Sequence, residues 1–583
     1  MPGSESTPAE KQAEVWDVVV LGGGAAGMAA AVFAALDGAR TLLVERSGSV
    51  GGTSALSAGT VWIPNTRHAA SAGAEDSPER AAAFLDAAVG NRAPKVMRDT
   101  FLRAGPEAVR HLEENTAVQF RARPFHPDYL FELEGSVAGG RALEALPFDG
   151  GMLGKALHLL RKPIPEFTIL GGMMVDRDDI GHLLKMTRSL KSLAHGARLI
   201  AGYAVDRMRY GRGARLVMGN ALTGRLLKSL QDLDVAIWTD TEVTDISAGA
   251  DGTRVRVRSK GKEVSLHAAG GVILASGGFA RHPQRRAELL PEPQPEFSPA
   301  APGNTGALHD IALRLGARYG EGGAQPVFWA PVSRRRRKDG SMAVFPHFVL
   351  DRSKPGIFSV GRDGRRFVNE SRSYHEFVVA MYGADRDGST IPAFEITDAD
   401  GLRKYGLGMV RPGGRGLGPF LKDGYLVRAD SLADLAGRLG IDLDGLADTV
   451  SRMNRFAETG VDLDFSRGST VYERANGDPS HRPNPTLGPV RTPPFYAIRL
   501  WPGDIGAATG LLTDTDARLI DAEGKAIGGL YACGNDMQSV MGGVYPAPGI
   551  NLGPAIAFAY IAGRHAAARS RGPQQELSSA EER

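Results

Sequence analysis

The chain has 583 residues, too many for one ordinary domain, and its 42% hydrophobic content can build more than one core, so two domains are expected. A formal charge of +3 argues against nucleic-acid binding as the main role, and the single cysteine, Cys533, excludes intrachain disulfides and a cysteine-based metal cluster. No metal site is expected, and a reducing compartment fits.

The first 14 residues are polar, with no apolar core of signal-peptide length, and no uncharged apolar run of 18 residues follows. The expectation is a cytoplasmic protein that does not span a membrane, with flexible tails over 1–13 and 573–583. Val18, Val19, Val20 and Leu21 then make an apolar, β-branched run of buried-strand type. Gly22-x-Gly24-x-x-Gly27 follows directly and opens an Ala-rich helix to about Leu36. Gly22 allows a tight turn, Gly24 lets a pyrophosphate approach the backbone beside Ala26, and Gly27 lets the helix pack closely on the strand. The unpaired N–H groups of the helix start then face the phosphates. A second strand over 41–44 ends in Glu45 and Arg46, and an acid at that distance from the glycines suits an unphosphorylated ribose.

The continuation, Gly51-Gly52-Thr53-Ser54-Ala55-Leu56-Ser57-Ala58-Gly59, resembles the flavoprotein superfamily of fumarate reductases and 3-ketosteroid dehydrogenases. In that superfamily the matching loop runs along the pyrophosphate and ribityl chain of FAD, which implies contacts from Gly52, Thr53, Ser54, Ser57, Ala58 and Gly59. In its succinate dehydrogenase branch a histidine near this loop bonds the flavin covalently. No histidine lies between Val15 and Arg67, so non-covalent FAD is expected.

Helices are expected from about Ser77-Pro78 and over 94–115, both as packing elements. A helix over 222–230 precedes strands over 235–238, 254–258 and 271–274, the last ending in Ala275-Ser276-Gly277-Gly278. The resemblance implies that Val243, Ala275, Gly277 and Gly278 flank the adenosine half of FAD. The resulting expectation is α/β (α+β overall), a Rossmann-like FAD-binding domain of the glutathione-reductase type over 14–290 with an inserted α+β substrate domain over 291–492. The substrate domain is marked by richer Pro, Arg and aromatic content and by amphipathic helices over 431–439 and 443–459. The chain is then expected to return to the first domain over 493–572. There Gly528 to Asp536 resembles the element that contacts the ribityl chain through Gly534 and Asn535. Asn551 and Leu552 open a last apolar helix to about Ala567, whose positive end would point at the flavin.

A flavin removes hydride from a saturated carbon readily when a neighbouring proton can leave from a position activated by a ketone. That chemistry needs donors to the ketone oxygen and a base beside the C–H bond. Tyr545-Pro546-Ala547-Pro548-Gly549 fits the first need, because the Tyr545 hydroxyl and Gly549 N–H could converge on one oxygen. The run is similar to a motif of 3-ketosteroid Δ1-dehydrogenases in which that tyrosine and glycine bind the 3-keto oxygen. The stretch Gly364 to Tyr374 resembles the segment carrying the family's tyrosine base, which implies Tyr374, and His126-Pro127-Asp128-Tyr129 resembles the segment of a supporting tyrosine, which implies Tyr129.

The resemblance implies a 3-ketosteroid-like small molecule as substrate and an electron acceptor that remains unidentified. It departs from shorter family members over 150–218, where an apolar run is followed by Lys185, Arg188 and Lys191. Two readings stay open there, an insertion forming the pocket rim and a peripheral membrane patch. Competing functions also stay open: a Δ4-dehydrogenase or other cyclic-ketone desaturase, an enoate reductase of the fumarate reductase type, and a flavoprotein without turnover. Leu552 stands where the reductases carry arginine, which disfavours the second of these.

Overall fold

The computed structural model describes residues 14–249, 251–321, 323–348 and 351–572. The two expected tails lie outside these residues. Strand Glu14–Leu21 is central to an eight-stranded sheet, in the order Arg518–Ile520, Ala526–Ala532, Lys262–Leu274, Glu14–Leu21, Thr41–Val44, Ala236–Trp238. The last five of these are mutually parallel, and their apolar character follows from burial on both faces. Helix Ala25–Leu36 covers one side, with Leu552–Ser570 packed along it.

Register brings the strand ends into line. Leu21 pairs with Val44 and with Leu274, and Leu274 pairs with Ala532. The residues that follow, Gly22, Glu45, Ala275 and Cys533, therefore emerge along one edge, the carboxyl end where such sheets bind ligands. Lys262–Leu274 is longer than the expected strand over 271–274. Its first half alternates and pairs antiparallel with Gly252–Ser259, so one strand serves both a hairpin and the parallel core.

A second sheet of six strands is ordered Met342–Pro346, Val327–Arg336, Phe495–Ala507, Ala393–Thr397, Ile357–Val360, with Val427–Ala429 also on Phe495–Ala507. Its central strand corrects one expectation. The chain does not leave this region at 493, because Phe495–Ala507 pairs with three strands of the second sheet before the chain turns back. Strand character alone cannot say which sheet a strand joins. Helices Leu432–Leu439 and Leu443–Thr459 cover this sheet, capped by Ser431 and Asp442.

Segment 150–218 holds two 3₁₀ turns and the helices Arg177–Leu183 and Leu190–Tyr210. The second helix buries only Ser192 and Gly196. Among the described residues no helix is long and apolar enough to cross a membrane.

Candidate active site

A cavity of about 570 Å³ runs from the aligned strand ends to the second sheet. At its first end the wall is backbone. Gly22, Gly24 and Ala26 line it together with Gly52, Thr53, Ser54, Ser57, Ala58 and Gly59 of the second glycine turn. Gly27 stands behind the wall, where a Cβ would lie 1.9 Å from the Gly22 carbonyl oxygen, so its contribution is helix–strand packing rather than contact with a ligand. Gly278 also stands outside the wall and is corrected as a cofactor contact. Its N–H donates to Asp536 Oδ1 at 2.8 Å, which spends it on holding the Ala275–Gly278 turn in place.

Glu45 and Arg46 line the cavity as expected. The Glu45 carboxylate accepts from Gly23 N at 2.7 Å and from Ser47 N at 2.8 Å, tying the acid to the glycine turn. Val243, Ala275, Gly277, Gly534, Asn535, Asn551 and Leu552 complete this half. Asn551 Oδ1 is buried with no protein partner among the described residues. An elongated cradle of backbone N–H groups, an acid at its ribose end and an orphaned amide oxygen at the other fit a dinucleotide.

At the other end, three distant segments bring Tyr129, Tyr374 and Tyr545 together. The Tyr129 and Tyr374 hydroxyls lie 3.4 Å apart, and the Tyr545 ring is 5.1 Å from Tyr374 and 5.9 Å from Tyr129. Tyr374 is the first residue of helix Tyr374–Ala384, capped by Ser373. Tyr129 is pinned from both sides. Its N–H donates to Pro546 O at 2.8 Å, and the preceding Asp128 accepts from Trp62 Nε1 at 2.8 Å and from Arg141 at 2.9 Å. Gly549 has φ +95, and a Cβ there would lie 2.6 Å from Thr60 O. Among the described residues the Gly549 N–H has no hydrogen-bond acceptor, which leaves it free for a ligand.

Burial pushes Tyr374 and Tyr129 well above the ordinary tyrosine range, and it pushes Tyr545 up to about 12. Burial also lowers His375, 5.8 Å from Tyr545, to about 3, so this imidazole is neutral beside the cluster. A phenolate at Tyr374 therefore needs help from positive charge or from donors.

Several residues in or behind the wall were not singled out in the sequence. Asn304 donates to Thr53 Oγ1 at 3.1 Å and to Gly277 O at 2.9 Å, joining the two glycine turns. Phe348 stands edge-on to Tyr374 at 5.1 Å, and Tyr472 lies 4.7 Å from Tyr129. No periodicity or motif marks these residues. At the mouth, Pro163, Ile164, Phe167 and Ile180 from segment 150–218 line the wall, which makes that segment part of the rim. Arg123 pairs there with Glu144 at 2.7 Å, while Arg177 lines the wall without a hydrogen bond or ion pair to any described residue.

A dinucleotide cradle opening onto buried tyrosines, with a free N–H beside them, defines an FAD-dependent oxidoreductase. The chain belongs to the family described as FAD binding domain, whose model matches residues 17–552. It is 36% identical over 569 residues to a 3-oxosteroid 1-dehydrogenase of Mycobacterium tuberculosis, covering 95% of this chain and 98% of the relative. It is 35% identical over 571 residues to a 4-oxocyclohex-2-ene-1-carboxylate 5-dehydrogenase of Sinomonas cyclohexanicum, covering 97% and 95%. Its fold superposes with a TM-score of 0.88 on a 3-ketosteroid delta1-dehydrogenase of Sterolibacterium denitrificans in complex with 1,4-androstadiene-3,17-dione, at 34% identity and covering 95% of this chain and 100% of that one.

Proposed function

We propose that the protein dehydrogenates a 3-ketosteroid, introducing a Δ1 double bond next to the ketone. The carrying observation is that Tyr129, Tyr374, Tyr545 and the free Gly549 N–H face one cavity with the FAD cradle. When bound, FAD supplies the hydride acceptor. The Tyr545 hydroxyl and Gly549 N–H hold the ketone oxygen, where negative charge develops as the neighbouring C–H bond breaks. Tyr374 takes that proton, and the Tyr129 hydroxyl at 3.4 Å steadies the phenolate. The apolar walls, Phe348 and Leu552 among them, exclude water and suit a sterol skeleton. Anaerobic titration with a panel of 3-ketosteroids tests the reading. Bleaching of the flavin and a new double bond between carbons 1 and 2 are expected, and no bleaching by any ketosteroid would sink it.

One observation favours a second substrate class. Arg177, exposed to solvent without a protein partner among the described residues, and the orphaned buried Nδ1 of His126 both line the cavity, where a carboxylate on the substrate would engage them. The Sinomonas cyclohexanicum relative is named for an oxocyclohexene carboxylate. An acid preferred tenfold or more over its methyl ester would favour this class.

The finer reading of segment 150–218 is peripheral membrane binding. Helix Leu190–Tyr210 exposes Leu190, Leu193, Ile200, Val205 and Met208, spaced along one face, with Lys191 and Arg198 exposed beside them. Co-sedimentation with anionic vesicles, lost on replacing Leu190 and Met208 by Glu, is the expected outcome. Equal pelleting of the wild type and the double variant would remove this reading.

A further inference from the structure

Arg352 is completely buried, and its guanidinium meets backbone carbonyls and the face of the Phe377 ring, 4.9 Å from the ring centre, but no charged side chain. It donates to the carbonyls of Phe348, Glu370 (2.9 Å) and Arg372 (3.4 Å), and its Nε to His347 O at 3.4 Å. Among the described residues no carboxylate lies within ion-pair distance of it. Leaving a charge buried with neutral partners alone costs folding free energy, so the position calls for an explanation.

The nearby acids are already engaged elsewhere. Glu370 is matched by Arg366 at 2.7 Å and Arg467 at 3.1 Å, Asp351 by His347 at 2.7 Å, and burial raises Glu395 well above the usual carboxylate range. On the other side lie the tyrosines. Tyr472 packs 4.7 Å from Tyr129, whose hydroxyl is 3.4 Å from that of Tyr374. The charge on Arg352 draws down both Tyr472 and Tyr129, against burial that pushes them up. Glu376 and Glu473 also face Tyr472, and both are met by Arg372, at 3.9 and 3.4 Å. The carbonyl acceptors of Arg352 belong to the two segments that frame the base. Phe348 stands edge-on to Tyr374, and Glu370 to Arg372 lead directly into Ser373 and Tyr374.

We propose that Arg352 is a positioning residue for the base, a buried guanidinium in contact with no carboxylate that clamps the segments around Tyr374 and puts a positive charge on the side of Tyr472 and Tyr129, whose hydroxyl neighbours that of the base. The inference rests on Tyr374 being the base. Proton abstraction needs the phenolate, so kcat/KM rises with pH through the pKa of the cluster, and a positive field moves that rising limb to lower pH.

The test compares the holoenzyme with Arg352→Gln and Arg352→Lys, following kcat/KM against pH on one ketosteroid, with FAD content and Tm measured alongside. Loss of the charge in Arg352→Gln is expected to move the limb up by about one unit, a roughly tenfold loss at neutral pH that is recovered in alkali. Arg352→Lys, which keeps the charge and loses the fork, is expected to stay near the wild-type limb. A loss that is the same at every pH, with the limb unmoved, makes Arg352 a structural staple and overturns the proposal. Where Arg352→Gln fails to fold, Arg352→Lys still decides: a limb moved up by a unit or more although the charge is kept overturns the proposal. If no ketosteroid bleaches the flavin, or Tyr374→Phe turns over normally, the underlying function or base falls instead.

Discussion

The glycine turn at 22–27 and the tyrosine cluster face one cavity, yet the first is assembled from neighbours in sequence and the second from residues as far apart in the chain as Tyr129 and Tyr545. The cradle binds through backbone N–H groups at strand ends, so its chemistry tolerates many side chains and depends on where glycine stands. The tyrosine pocket, on the function proposed, would work through three hydroxyls and one N–H that meet only when distant segments are folded together. A change in one region is therefore expected to leave the other's readout nearly intact, and four measurements can break or sharpen that separation.

The largest effect is expected from Tyr374→Phe. Losing the base should lower kcat by about 10²–10⁴-fold, while FAD content stays at the wild-type level. Lost flavin in this variant would mean that the two ends are coupled. Tyr545→Phe removes one donor to the ketone oxygen and should cost about 10²–10³-fold in kcat/KM, again with FAD retained. A loss confined to KM would place Tyr545 in binding alone.

Next comes pH. Burial raises all three tyrosines, and in the proposed reaction the reactive form of Tyr374 is the phenolate, present above its pKa. Activity is therefore expected to climb about tenfold per unit on the acidic side and to level off in alkali. A profile flat from neutral pH upward would point to a base other than a tyrosine. The smallest effect should come from the cradle. Glu45→Gln keeps the size but removes the charge that accepts from Gly23 N and faces the ribose, and should weaken FAD binding by about 1–2 kcal/mol with kcat unchanged at saturating FAD. Loss of kcat in the flavin-saturated variant would contradict the separation.

Legibility followed the same division. Strand, glycine turn, helix and Glu45 were all readable, because each is set by contacts within a few residues. Gly27 was legible as the glycine that packs helix on strand, whereas Gly278 was read as flanking the cofactor although its N–H is taken by Asp536, since facing is decided by such partners. Phe495–Ala507 was readable as a strand but assigned to the wrong region. Any apolar strand can pair with several edges, and the register with Val327–Arg336 and Ala393–Thr397 decides among them. Tyr374, Tyr129 and Tyr545 could be named through resemblance, whereas Tyr472, Phe348, Asn304 and Arg352 carry no local signal at all.

The sequence by itself determined that a dinucleotide is bound, because hydrogen bonding at a glycine turn is a property of adjacent backbone. Only the tertiary structure decided which tyrosines share a cavity, which charges remain unmatched and which segment forms the rim. Those properties depend on burial and distance, and both are created when the two sheets pack.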